Sequence, residues 1–504
     1  MNDENGSIIN QTGLIINQTH KEIEDIEYLF SQTYGNPQIK TIFGTMQLIN
    51  ADSTASGFPC KLIDNYLTKH ILPYYNNTHS NSYTGRLMHH YIQETKKIIK
   101  KSYNLKADDK IIFTGSGCSG AIVHLIHALN LKEDNPTVLV TITEHHSNYL
   151  PWKHQAVNIK FIKINETGLI DIDDLNKTIK SLKSKNFIAS FSACSNVIGV
   201  HQNVSEINKL IHKKGGKIFW DYAASAPYVE INMNMSQRLK GDDQSKGAYD
   251  YMDAIFISVH KFFGGPGAPG LLIAKKSLFK NKEPFYPSGG TVQFVCPRYT
   301  VYTKDIEKRE TGGTPNIIGC IRTGLVFQLK NKYQDFINAR EKQLTKYVQG
   351  KLVDNENIIL LNPSTNLDRL PIFSFIIPNM HYNLVVVLMN DLFGISCRGG
   401  VSCCSIFAQY ILHLDCKAQD HIKSEILSDK GNPKNYGWCR VSFHYIMPMR
   451  VVDFIVNAII FIANNNVKYK KYYKYIKEKN IWIPKKNKKI NDTFANIKFD
   501  LINQ

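Results

Sequence analysis

The feature that most constrains this chain is a series of short apolar, β-branched runs, most of them followed by a turn and then by residues at helical spacing. From Lys110 onward they read IIFTG, TVLVTIT (Thr137–Thr143), FIKI (Phe161–Ile164), NFIASFSA, KIFWDYAA, AIFISVH and GLLIAKK. Segments such as AIVHLIHALNL and SEINKLIHKKG lie between several of them and carry apolar residues at helical spacing. Near-continuous apolar strands alternating with helices predict an α/β fold with a mostly parallel sheet covered on both faces. Ligands of such sheets bind beyond the carboxyl ends of the strands, so the strand ends are where chemistry is expected.

At 504 residues the chain exceeds the ~250–300 at which a single hydrophobic core stops growing, so more than one domain is expected. Residues 1–25 read as a polar N-terminal extension, in which IINQT occurs at Ile8–Thr12 and again at Ile15–Thr19. Residues 26–330 read as a large domain with an N-terminal segment. Residues 331–466 read as a smaller α+β C-terminal domain, with PIFSFII, GISCRGG and WCRVSFHYI as strands and VVDFIVNAIIFIANN as a closing helix. Residues 467–504 read as a basic tail.

Composition removes several classes of function. With 43% hydrophobic and 21% charged residues the chain is neither disordered, collagenous nor a disulfide scaffold. No apolar stretch approaches the ~18–20 residues that cross a bilayer, so no membrane partner is expected. The opening MNDENGSIINQTGLIINQTH lacks the basic start and apolar centre of a secretion signal, which predicts a cytoplasmic protein. Ten cysteines are too sparse for a disulfide framework and show no zinc spacing, so no metal is expected. The net charge is +18, and much of the excess sits in KYKKYYKYIKEK and PKKNKK, between Lys468 and Lys489. It reads as a solvated tail, because no nucleic-acid module accompanies it.

Candidate chemistry stands at successive strand ends. Lys261 follows AIFISVH and precedes FFGGPGAPG, where a lysine whose pKa is lowered by burial can condense with an aldehyde. Asp221 ends KIFWD, one strand earlier, where a carboxylate can keep a pyridine nitrogen protonated. GSGCSGAI (Gly115–Ile122) joins a strand to a helix and offers backbone N–H groups to a phosphate. Gly115, Gly117 and Gly120 also satisfy the dinucleotide fingerprint, with Glu144 at the end of the next strand as a ribose-binding acid. EHHSNYLPW favours the other reading, since His145 stands at that strand end and can stack on a planar ring. A P-loop is excluded, because no Lys-Ser/Thr follows the glycines. Asn196, after NFIASFSA, can donate to a ring oxygen or a substrate carboxylate. Singly these residues are commonplace; the ordered series is not.

Taken together, TGSGCSGAI, TEHHSNYLPW, SNVIGV, DYAASAP, SVHKFFGGPGAPG, GGTPN and CRGGVSCC resemble class V pyridoxal-phosphate enzymes of fold type I, and within that class the cysteine desulfurases. The resemblance runs from about Leu48 to Asn464. It implies pyridoxal 5'-phosphate as cofactor, with Lys261 holding it covalently and shuttling the α-proton. It further implies Asp221 on the pyridine nitrogen, His145 on the ring, and Asn196 on the ring oxygen and substrate. Gly117, Cys118, Ser119, Ser258 and His260 would hold the phosphate. The residue matching Thr314 reaches the phosphate of a neighbouring subunit, so a homodimer is implied.

Arg398 and Cys403 bear on the reaction. In the family the arginine matching Arg398 clamps the substrate carboxylate, for which a planar guanidinium is suited. Cys403, five residues on, stands close to the offset at which one group of desulfurases carries its nucleophile, on a loop expected to be mobile. Cys404 and Cys397 are alternative thiols. The expected reaction converts L-cysteine to L-alanine with the sulfur left on an enzyme cysteine, from which an acceptor protein would take it. Two departures weigh against it: Ala224 stands where desulfurases usually carry glutamine, and SIFAQYILHL is not their usual continuation. The alternatives are another class V reaction (aminotransferase, epimerase or lyase) without a catalytic thiol, a nicotinamide-dependent oxidoreductase, and a nucleic-acid-binding protein acting through its tail.

Overall fold

The computed structural model describes residues 18–35, 37–155, 157–184, 186–235, 249–362, 364, 367–427 and 436–485. The first IINQT, most of the second, and PKKNKK from residue 486 on lie outside the described residues.

Seven strands form the large sheet: β1 (Asp109–Thr114), β2 (Thr137–Thr141), β3 (Asn158–Ile162), β4 (Phe187–Ser192), β5 (Lys217–Asp221), β6 (Ala254–Ser258) and β7 (Gly270–Lys275). Their order is β1-β7-β6-β5-β4-β2-β3. β2 pairs in parallel with β3 and β4, β4 with β5, and β5 with β6; β7 runs antiparallel between β6 and β1. This is the mostly parallel α/β sheet expected. Its runs are continuously apolar because neighbouring residues enter different cores. Ile111, Ile255, Ile257, Leu271 and Ile273 pack on one face with helices Tyr83–Ser102 and Ile317–Lys332. Ile112, Phe256 and Leu272 pack on the other with helix Gly117–Leu129.

A second, smaller sheet contains β8 (Ile359–Leu360), β9 (Ile372–Ile376), β10 (Arg398–Gly400) and β11 (Trp438–Ser442), in the order β8-β9-β11-β10 and antiparallel throughout. Helices Gln334–Leu352, Tyr382–Phe393 and Met449–Asn464 supply side chains to its core. Where the basic tail reads as solvated, Tyr473–Ile476 and Ile481–Pro484 instead form a hairpin. Tyr473 is buried and donates to Asp391 Oδ2 at 2.7 Å, and Asn383 Nδ2 donates to the Asn480 carbonyl at 2.6 Å, so aromatic packing and specific bonds tie the segment down. Among the described residues no helix is long and apolar enough to cross a membrane, and no cluster of His, Cys, Asp and Glu could hold a metal ion.

Candidate active site

The carboxyl ends of β1, β2, β4, β5 and β6 converge on one cavity of about 340 Å³. Cys118, Ser119, His145, Asn196, Asp221, Ser258, His260, Lys261 and Arg398 all line it. The parallel sheet explains the convergence, since every parallel strand delivers its last residue to the same edge.

β1 hands over to Gly115 and Ser116 before helix Gly117–Leu129 begins, and the N-cap Ser116 side chain makes no cap hydrogen bond. Gly117 has φ +57°, and a Cβ on it would lie 2.6 Å from His260 Cε1 and 2.7 Å from Ser258 Oγ. Only glycine fits so close an approach in that left-handed conformation. The Cys118 N–H donates to Ser258 Oγ at 3.0 Å, and Ser119 Oγ lies 2.6 Å from Ser147 Oγ. Small side chains, hydroxyls and a helix N-terminus therefore meet at one end of the cavity, a setting suited to an anion.

Asp221 is 4% exposed, and burial raises its carboxyl above the usual range while the Ala223 N–H, Lys261 and Cys118 oppose the shift. Its Oδ1 accepts from the Ala223 N–H at 2.8 Å. Lys261 follows β6 in a 3-10 turn. Burial lowers its amine pKa, Arg440 and Arg398 push it the same way, and Cys118 and Asp221 resist. His145 is driven down to about 3 by burial and by Lys261, His146 and the two arginines, so its ring is neutral. His260 falls to about 4, through burial and Lys261.

Glu144 has a different use from that of a ribose-binding acid. It is 4% exposed, and its carboxylate accepts from Thr141 Oγ1 (2.6 Å), Ser192 Oγ (2.6 Å), the Ser192 N–H (3.0 Å) and Asn148 Nδ2 (2.7 Å). With its oxygens so occupied it braces the His145 loop.

The cysteine loop runs beside the cavity: Arg398 lines it, whereas Cys403 is not among the lining residues. Arg398 Nη2 lies 3.4 Å from Cys403 Sγ. The loop expected to be mobile is tied at several points. The His146 N–H donates to the Cys403 carbonyl (2.8 Å), Asn196 Nδ2 to the Ser402 carbonyl (2.9 Å), and Trp438 Nε1 to Ser402 Oγ (3.3 Å). Cys404 is fully buried, and burial pushes its thiol far up. Cys397 Sγ faces Cys439 Sγ at 3.6 Å, away from the cavity lining. Thr314 is not in the lining either. Its Oγ1 accepts from Asn77 Nδ2 at 3.2 Å, beside a different hollow that Gly313 and Pro315 border.

Sequence reasoning missed Arg440 and its partner Asp52. Arg440 is 2% exposed and lines the cavity; Nη2 donates to Asp52 Oδ1 at 2.6 Å, Nη1 to the Asn196 carbonyl at 3.0 Å, and Nε has no hydrogen-bond partner. A charged residue inside the apolar strand WCRVS was the available signal.

Parallel strands that deliver an amine, a carboxylate and an anion cradle to one cavity define an α/β enzyme of fold type I. The chain belongs to the aminotransferase class-V family, whose model matches residues 49–454. It is 29% identical to a probable cysteine desulfurase of Halalkalibacterium halodurans over 71% of this chain and 84% of that protein. It is 27% identical to another from Pyrococcus abyssi over 69% and 83%. Its fold is similar to the apo structure of a cysteine desulfurase from Thermococcus onnurineus, with a TM-score of 0.68 and 24% identity over 83% of this chain and 95% of that one. A cysteine desulfurase from Escherichia coli gives 0.65 and 19% identity over 83% and 94%.

Proposed function

We propose that this chain is a pyridoxal-phosphate-dependent cysteine desulfurase that moves sulfur from L-cysteine to Cys403 and releases L-alanine. The observation that carries the reading is the contact between Cys403 and Arg398, an arginine that lines the same cavity as Lys261 and Asp221.

The donor set fits pyridoxal 5'-phosphate. Gly117 leaves no room for a Cβ beside Ser258 and His260, and the uncapped helix start, with Ser119, suits a phosphate. Asp221 would face the pyridine nitrogen and the neutral His145 ring would lie against the cofactor plane. When bound, the cofactor supplies a sink for the electrons left on the substrate α-carbon.

This chain's own groups do the rest. Lys261, whose amine burial keeps from protonating readily, anchors the cofactor and carries the α-proton. Arg398 and Arg440 offer guanidinium groups to the substrate carboxylate, the latter already oriented by Asp52. The Cys403 thiolate attacks the substrate sulfur. An S–S bond forms and the Cβ–S bond breaks with its electron pair staying on carbon; protonation at Cβ and return of the α-proton from Lys261 complete alanine. Arg398 is placed to stabilise negative charge on the Cys403 sulfur. The same reading includes a homodimer in which the exposed Thr314 would serve the neighbouring subunit. The ten free cysteines suit a reducing, cytoplasmic setting, and a protein would take the sulfur onward.

A second reading rests on Ala224, which lines the cavity where desulfurases usually carry glutamine. It is a class V reaction on an amino acid without a catalytic thiol. One assay separates the two: purified enzyme with L-cysteine and a thiol should yield alanine and sulfide in equal amounts. Cys403→Ala should cut that by about 10³-fold or more while the cofactor's visible absorbance persists. Unchanged turnover in the variant would refute the assignment of Cys403.

A further inference from the structure

Asn196 and Cys404 form a hydrogen-bonded pair in the cavity wall that the reaction above leaves unused. The Cys404 thiol donates to Asn196 Oδ1 at 3.0 Å, while Asn196 Nδ2 donates to the Ser402 carbonyl at 2.9 Å. The two ends of a side-chain amide are chemically opposite, one only accepting and the other only donating. Turned over, Asn196 would set its oxygen against the Ser402 carbonyl and its NH₂ against a thiol hydrogen. The Ser402 carbonyl, which can only accept, therefore selects this orientation, and the thiol hydrogen on Oδ1 secures it. In that orientation Nδ2 keeps a second hydrogen, and Asn196 lines the cavity.

The amide in turn holds an unusual backbone. Ser402 and Cys403 have φ +51° and +58°, left-handed values that residues with a Cβ adopt only where their surroundings enforce them. The Asn196–Ser402 bond, with Trp438 on the Ser402 hydroxyl and His146 on the Cys403 carbonyl, supplies that enforcement. Cys404 sits in an apolar cluster with Val197, Phe407 and Trp438. Burial there keeps its thiol protonated, as a donor must be.

We propose that Cys404 is a positioning residue: its thiol, by donating to Oδ1, secures the Asn196 amide that holds the Ser402–Cys403 turn with the Cys403 sulfur against Arg398. The two adjacent cysteines then divide the work, one exposed to substrate and the other a buried hydrogen-bond donor. The role assigned to Cys403 rests on the desulfurase reading, whereas the orientation of Asn196 does not.

The test compares the full-length protein with Cys404→Val and Cys404→Ala, which lack the donor, and with Cys404→Ser, which keeps one. Hydrogen exchange read by mass spectrometry should be about tenfold faster or more in peptides covering residues 396–408 and 141–150 of the Val and Ala variants. Exchange in β4 should be unchanged, and the Ser variant should return toward wild type. KM for cysteine should rise more than kcat falls in the Val and Ala variants, again with recovery in Ser. Wild-type exchange in a folded Val or Ala variant would overturn the proposal, as would a Ser variant no better than Val. If Val fails to fold, Ala, which introduces no added bulk, carries the same expectation. The expected exchange pattern without alanine formation by any form would refute the desulfurase reading and uphold the orienting role of Cys404.

Discussion

Arg398 Nη2 and Cys403 Sγ lie 3.4 Å apart, so one guanidinium both lines the cavity and touches the loop thiol. A lysine could not do both, because its ammonium is a point charge without the planar fork of arginine. Arg398→Lys should raise KM for cysteine by about 10- to 100-fold, in line with losing a charged hydrogen bond of ~1.5–3 kcal/mol. Steady-state kinetics check this, and an unchanged KM would remove Arg398 from the substrate site.

Lys261 should be the one lysine that pyridoxal phosphate modifies. Its amine is held below the ordinary lysine value, chiefly by burial, so at pH 8 a larger fraction is neutral and reactive than for a surface lysine. Borohydride reduction followed by peptide mass mapping should find the adduct on this residue, and Lys261→Ala should lose it together with turnover. An adduct spread over surface lysines would count against the cofactor assignment.

Gly117→Ala should impair cofactor retention more than folding. The added Cβ would meet His260 and Ser258 at 2.6 and 2.7 Å, and φ +57° costs a non-glycine residue about 1 kcal/mol. Dialysis followed by absorbance should show the variant releasing pyridoxal phosphate at least about tenfold faster than wild type. Equal retention would mean that the phosphate lies elsewhere.

His444 should make the fold sensitive to acid. The ring is fully buried against Phe58, Tyr228, Phe263 and Tyr445, its Nε2 has no partner, and burial drives its pKa down to about 3. The unfolded chain takes the proton near pH 6.5 and the folded chain refuses it until about 3. The stability from this group is therefore complete above about pH 6.5 and is lost as pH falls toward 3, at ~1.4 kcal/mol per pH unit. His444→Phe should flatten the dependence of unfolding free energy on pH by about 2 kcal/mol between pH 6.5 and 5. Parallel wild-type and variant curves in denaturant titrations would contradict this.

Much of the architecture was legible before any coordinates. KIFWD and AIFIS read as buried parallel strands because both their faces are covered, and that covering leaves no alternation of polar residues. The positions of Asp221, Lys261, His145 and Gly117 followed from the same pattern, since residues just beyond parallel strands share one edge of the sheet. The hairpin at Tyr473–Pro484 was not legible, because its lysines mask the few aromatic side chains that pack inward. Glu144 read as a candidate ribose ligand until its four donors, two of them from Ser192, accounted for its oxygens.

By itself the sequence determined the sheet, the order of groups along its edge and the family, since hydrophobic periodicity and strand-end residues are local properties. Only tertiary structure decided which of two adjacent cysteines is half-exposed against Arg398 and which is buried behind Asn196. It also brought in Arg440, 244 residues from Asn196, whose carbonyl it holds, and 388 from Asp52, whose carboxylate it pairs with. The reason is physical: spacing along a chain encodes which face a residue occupies, whereas a hydrogen bond across two hundred residues exists only once two cores have closed against each other.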